Sequence, residues 1–336
     1  MSLTLRSPLD MHLHLRDGQM LSTVAPLSAS SFAGAIIMPN LLPPLSSKEE
    51  VVAYKARIME SIGESAFVPY MTLFFKPTYS REFLESVKDE ITAIKLYPAG
   101  ITTNSEGGVS GFEIDALTET LSAMSDLGIP LCIHGETNGF VMDREAQFVP
   151  IYEMLATNFP KLKIIMEHIT TLASVEALDK FENLYATITL HHLIITLDDV
   201  AGGMLQPHLF CKPIAKRPED REALLRVALD AHPKVMFGSD SAPHPKESKE
   251  APGCAAGVFT APIALQRLAQ LFEENSSSFE NLQKFVSDNA QEIYGITPIQ
   301  KMVTLSKKEF TVPDNYDGVV PMSAREKISY TIDTIS

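Results

Sequence analysis

His12 and His14 stand two residues apart in the apolar run LDMHLHL. On an extended strand, residues i and i+2 leave the same face about 6.6 Å apart, a spacing that suits two ligands on one ion. Asp10 and Arg16 share that parity, so the face reads Asp-His-His-Arg and points into something wet or charged. Three further fragments end strand-like runs on metal-seeking groups: Lys95 in AIKLYP, His134 in LCIHGE and His168 in IIMEH. A fifth, MFGSDSAPH, adds Asp240 and then His244. Each has a bland reading alone: a polar pair in a core, a lysine snorkelling from a strand end, ordinary strand-end histidines, a turn cap. They gain chemistry together, if the strands close into a barrel and present their carboxyl ends to one pocket. Such a set points to a metal-dependent hydrolase. A desolvated Lys95 has a lowered pKa, and its neutral amine can capture carbon dioxide as a carbamate able to bridge two divalent ions.

Eight β-rich apolar runs could position these groups: 9–15, 33–39, 67–73, 93–97, 130–135, 163–168, 185–190 and 234–239. Most are continuously apolar, as expected of parallel strands covered on both faces. Between most of them lie stretches of helical period, such as 46–63 and 111–128, both ending in Gly. Strand and helix alternating eight times predict a (β/α)8 TIM-type barrel of the α/β class. An open doubly wound sheet ranks second, because the turn after the first strand, Arg16-Asp17-Gly18, lacks a glycine-rich phosphate spacing. Two more helices are expected after the eighth strand, and residues 296–336 are expected to pack as a tail on a single domain spanning 1–336.

Composition narrows the class. The 336 residues are 45% hydrophobic and 21% charged, the balance of a soluble globular protein. A net charge of −14 argues against nucleic acid, so an anionic substrate would need a locally positive site. No run is apolar for the roughly 18 residues a membrane span requires, and no secretory signal is expected at the amino terminus. Cys132, Cys211 and Cys254 are odd in number and widely spaced, against a disulfide framework. A cytoplasmic protein with a small-molecule substrate is the expectation.

Laid on strands one, four, five, six and eight, the order HxH, Lys, His, His, Asp resembles the amidohydrolase superfamily and, more closely, its compact bacterial dihydroorotases. The phrases carrying the resemblance are DMHLHLRDG, MPNLLPP, KLYPAGITTNS, HGE, EHITT, HLFCKPIAKR and GSDSAPHPKESKE followed by GCAAG, from about residue 10 to 260. The resemblance implies two Zn2+ ions: His12, His14 and Asp240 on one, His134 and His168 on the other, with N6-carboxylated Lys95 and a hydroxide bridging. It implies a substrate held by His14, Arg16, Asn40, His134, Lys212, His244 and Ala255, and a mobile loop bearing Thr102 and Thr103. Ala255 is preferred over Ala256, and at Lys212 a backbone contact is expected. The implied reaction is reversible closure of N-carbamoyl-L-aspartate to dihydroorotate in pyrimidine synthesis, Asp240 serving as general base and then acid, in a homodimer. The rivals are a hydantoinase-like enzyme, disfavoured because no chain precedes His12 to build a β-sandwich, and a catalytically dead scaffold, disfavoured because all six ligands are retained.

Overall fold

The structure, a computed structural model, describes residues 2–336. Nine strands come first in the chain: β1 (Ser2–Arg6), β2 (Leu9–Leu13), β3 (Gly34–Ile37), β4 (Val68–Phe74), β5 (Ala93–Leu96), β6 (Leu131–Ile133), β7 (Ile164–Met166), β8 (Leu184–Ile188) and β9 (Val235–Phe237). β2 to β9 pair in sequence order, every pair parallel. β9 returns to β2: Asp240 N donates to His12 O at 2.8 Å and His14 N to Ser241 O at 3.2 Å. Closure makes this a (β/α)8 barrel, and it explains the near-continuous apolar runs, since both strand faces are buried.

The intervening helices follow local sequence rules. Lys48–Ile62 opens with a capping box of Ser47 and Glu50 and stops at Gly63; Ile114–Leu127 stops at Gly128 in the left-handed conformation. The chain from Phe279 to Tyr294 is one continuous helical stretch, with a wider π turn at Lys284–Asp288. Two expectations shift. The seventh strand ends at Ile188, because Thr189 caps a short helix that takes Leu190 and both following histidines. Of the two helices expected after the eighth strand, the sequence GVFTAPIALQRLAQLFEEN at 257–275 becomes α-helical only over Ala264–Glu274.

Four strands follow: β10 (Met302–Ser306), β11 (Phe310–Thr311), β12 (Lys327–Ile328) and β13 (Thr331–Ile335). β10 pairs antiparallel with β1 on one side and β13 on the other, a separate three-stranded sheet that ties the two chain ends together. At the start of β10 the buried Lys301 donates to the carbonyls of Ala29 and Phe32. Among the described residues no helix is long and apolar enough to cross a membrane.

Candidate metal centre and active site

The candidate site residues sit at or just past the carboxyl ends of their strands. Lys95 lies within β5, opposite Phe74 and Cys132. His134 follows β6 by one residue, His168 follows β7 by two and Asp240 follows β9 by three. His12 is on β2 and His14 is one residue beyond it. Gly238 lets β9 come this close: a Cβ there would lie 2.9 Å from His12 Cβ and from Thr187 Cβ. Arg16, His168 and Asp240 adopt φ of 58°, 41° and 42°, a left-handed conformation that bulky residues rarely take. Such strain gathers at functional sites, where the surroundings hold a side chain to its aim.

His12, His14 and Asp240 offer ligand atoms that all lie within 4.8 Å of one another, and all three are buried. Asp240 Oδ1 is 3.1 Å from His14 Nε2 and 3.5 Å from His12 Nε2. The rings of His12 and His168 lie 4.9 Å apart and those of His134 and His168 4.7 Å apart, so the second pair of histidines adjoins the first.

Two carboxylates that the sequence reading passed over orient these rings. Glu167 Oε2 accepts from His12 Nδ1 at 2.7 Å and from Thr187 Oγ1 at 2.6 Å. Glu136 Oε2 accepts from His134 Nε2 at 2.8 Å. Each bond places the ring proton on the outer nitrogen, so His12 Nε2 and His134 Nδ1 turn lone pairs inward, the tautomers a metal requires. His168 Nε2 lies 3.1 Å from His134 Nδ1. Their positions, directly before His168 and two past His134, were the available signal.

Burial sets the protonation states. It holds His12 below its usual imidazole range, and His14 and His168 well below. Burial raises the Asp240 carboxyl and lowers the Lys95 ammonium. Burial also works against charge on Glu167, but His12 and Lys95 outweigh it and hold that carboxylate at about 2. Lys95 Nζ, Glu167 Oε1, His168 Nδ1 and the Tyr97 hydroxyl are buried with no partner. Buried polar groups are paired in the great majority of proteins, and an unpaired buried ammonium costs several kcal/mol. Neutral imidazoles with inward lone pairs, a carboxylate between two of them and an orphaned amine therefore fit divalent cations. A carbamate on Lys95 would replace the unpaired charge with two ligand oxygens.

This cluster opens onto a cavity lined also by Arg16, Asn40, Thr102, Thr103 and Lys212. Arg16 is fixed by Nε donating to Pro243 O at 3.1 Å and Nη2 lying 3.0 Å from His244 Nε2. Burial and the Arg16 charge push His244 down to about 3, so it is neutral. Asn40 Nδ2 donates to Thr103 O, and Asn104 Nδ2 donates to Asn40 O, both at 3.0 Å. The loop of Thr102 and Thr103 is thus tied to Asn40 and lines the cavity.

Two residues expected at the substrate, His244 and Ala255, are not among those lining the cavity. Ala256 lines the cavity and Ala255 does not. Ala255 is turned away by its own backbone, its N–H bonded to Ser248 O at 2.9 Å and its carbonyl to Lys249 at 2.8 Å. Asp10 also differs from the wet face expected of it. It is fully buried and binds Ser239 through N at 2.7 Å and Oγ at 2.5 Å, joining β2 to the end of β9. His191, His192 and Cys211 form a second buried group, but both His192 nitrogens are engaged, by Thr189 Oγ1 at 2.9 Å and Pro213 O at 3.1 Å. His208 pairs with Glu250 at 3.0 Å, away from the cavity.

A closed parallel barrel with histidines, a lysine and an aspartate at its carboxyl end defines a class, and the comparison with known families agrees. The chain belongs to the amidohydrolase family, whose pattern matches residues 72–296. It is 43% identical to a dihydroorotase of Helicobacter hepaticus, over 98% of both chains. Among solved structures it superposes on a dihydroorotase of Campylobacter jejuni with a TM-score of 0.95 and 59% identity, covering 99% of this chain and 98% of that one. A Saccharomyces cerevisiae dihydroorotase, solved with 5-fluoroorotic acid, gives a TM-score of 0.92 at 33% identity, with the same coverage. Within its family the chain is therefore a hydrolase acting on cyclic amides, on the dihydroorotase branch.

Proposed function

We propose that this chain interconverts N-carbamoyl-L-aspartate and dihydroorotate, a step of pyrimidine synthesis, at a centre of two divalent cations. The observation that carries the reading is the orphaned Lys95 amine beside four inward-facing imidazoles and Asp240, with Arg16 across the cavity. His12, His14 and Asp240 would hold one ion, His134 and His168 the other, and carboxylated Lys95 would bridge them; zinc is the metal we assign. Bound there, the ions supply hydroxide at neutral pH and polarise the carbonyl.

The remaining work falls to the chain's own side chains. Asp240 takes the proton of the attacking hydroxide and delivers it to the leaving ring nitrogen; in the cyclising direction the same carboxylate works in reverse. Arg16 binds the substrate carboxylate in a charge-assisted pair, and neutral His244 fixes the guanidinium from behind. Asn40 contributes a polar contact and anchors the Thr102/Thr103 loop, whose closure excludes water. Lys212 and Ala256, in place of Ala255, offer backbone groups along the substrate ring.

The rest of the proposal is one barrel domain over 1–336 with 296–336 as its tail, a cytoplasmic location and a homodimer, the last tested by light scattering. The reaction itself is tested by following dihydroorotate absorbance with purified protein in both directions. Turnover of both compounds is expected; turnover of hydantoin but neither of these would overturn the assignment.

A further inference from the structure

Lys249 ends a short helix (Lys246–Lys249) beyond Asp240 and is buried. Its ammonium donates to the carbonyls of Phe210 at 2.9 Å, Ala255 at 2.8 Å and Gly257 at 2.7 Å. Three donors meet three acceptors, so the group is fully satisfied without a carboxylate. The acceptors belong to two segments far apart in sequence, one leading into Lys212 and one running from Ala255 to Gly257. These segments form one wall of the cavity, which Lys212, Ala256 and Gly257 line. Gly257 N also donates to Phe210 O at 2.9 Å. At φ 155°, Gly257 is pressed so close to β9's extension that a Cβ would lie 2.3 Å from Ala242 O. His244 Nε2, which accepts from Arg16, lies 3.0 Å from the Ala256 carbonyl oxygen. Among the described residues the N–H groups of Lys212 and Ala256 donate to no protein acceptor, which leaves two amides at the cavity wall.

We propose that Lys249 is a positioning residue, clamping the Phe210, Ala255 and Gly257 carbonyls so that the Lys212 and Ala256 amides meet an anionic substrate in fixed register. Its charge sits behind the wall, where it binds backbone and leaves the substrate to the amides. This rests on the reading above that the substrate carries a carboxylate. Without the ammonium, three carbonyls lose their common partner and the two segments keep only the Gly257 N–Phe210 O bond between them.

The test uses the metal-loaded protein and its Lys249→Met and Lys249→Arg variants. Steady-state kinetics with carbamoyl aspartate and dihydroorotate, metal content, and hydrogen exchange of segments 208–213 and 253–258 are measured together. Lys249→Met is expected to raise KM about tenfold with a much smaller change in kcat, unchanged metal content, and faster exchange confined to those segments. Lys249→Arg, which keeps cationic donors, is expected to recover most of the KM loss. Should Lys249→Met not fold, Lys249→Gln carries the same expectation at smaller size. An unchanged KM in an active Lys249→Met enzyme overturns the clamp, as does a loss of thermal stability with KM intact. If the parent turns over neither compound, the functional reading fails instead; exchange still decides the clamp, and unaltered protection of both segments overturns it.

Discussion

Lys301 and Lys95 are both buried lysines, one at each end of the barrel, and their surroundings are opposite. Lys301, at the amino-terminal end, donates to the Ala29 and Phe32 carbonyls and joins the tail to the helix Gly18–Ser31. Nearby, Asn183 Nδ2 is shared among the Ala156, Phe159 and Leu162 carbonyls, and Asn289 Nδ2 between those of His232 and Val235. At the carboxyl-terminal end Lys95 has no partner, and Tyr97, Glu167 and His168 each keep an unpaired atom. The buried lysine and the two amides at the base of the barrel have their partners, which serves stability. The mouth leaves groups open for ligands that the polypeptide alone does not provide.

The contrast breaks most directly at its two lysines. Lys95→Ala should lose metal and turnover together, by at least about a thousandfold in kcat, with partial rescue by short carboxylic acids. Full activity in that variant would remove the carbamate. Arg16→Met should lower kcat/KM about a hundredfold while elemental analysis finds the parent's metal content. A drop in metal alone would refute its role at the carboxylate. Glu167→Ala should weaken metal binding about 10- to 100-fold in a chelator competition, because His12 loses the acceptor that fixes its tautomer. Lys301→Met should leave kcat near the parent's and lower unfolding stability by about 2 kcal/mol in urea titration.

Lys301 also gives a pH signature. Burial pushes its pKa down to about 8 from an unfolded value near 10.5. Between those values the unfolded chain holds more protons, so this lysine adds stability as pH rises through the window and adds no slope below it. The stability gap between parent and Lys301→Met should therefore widen in the parent's favour from pH 8 to pH 10. A gap that narrows would show that the ammonium is not penalised by burial.

Local pattern carried the eight barrel strands and the residues at their ends, because parallel strands between two layers are apolar along their length and make a polar strand-end group conspicuous. What escaped has physical reasons. The helix Gly18–Ser31 is weak in propensity, with Pro26 inside and several serines, and forms because it packs against the barrel. β1 went unread because its partner, β10, lies about 300 residues away, and pairing at that distance leaves little local trace. Glu136 and Glu167 sit beside histidines and read as ordinary polar neighbours until the fold aims each at a ring nitrogen. Ala255 and Ala256 could not be told apart by sequence, since backbone hydrogen bonds decide which one faces the cavity.

The most direct test of the metal centre is to strip the protein of metal, add a divalent cation in steps, and follow dihydroorotate turnover and bound metal together. The account predicts negligible activity in the stripped protein and a rise that saturates near about two ions per chain. Full turnover with far less than one ion per chain would contradict it.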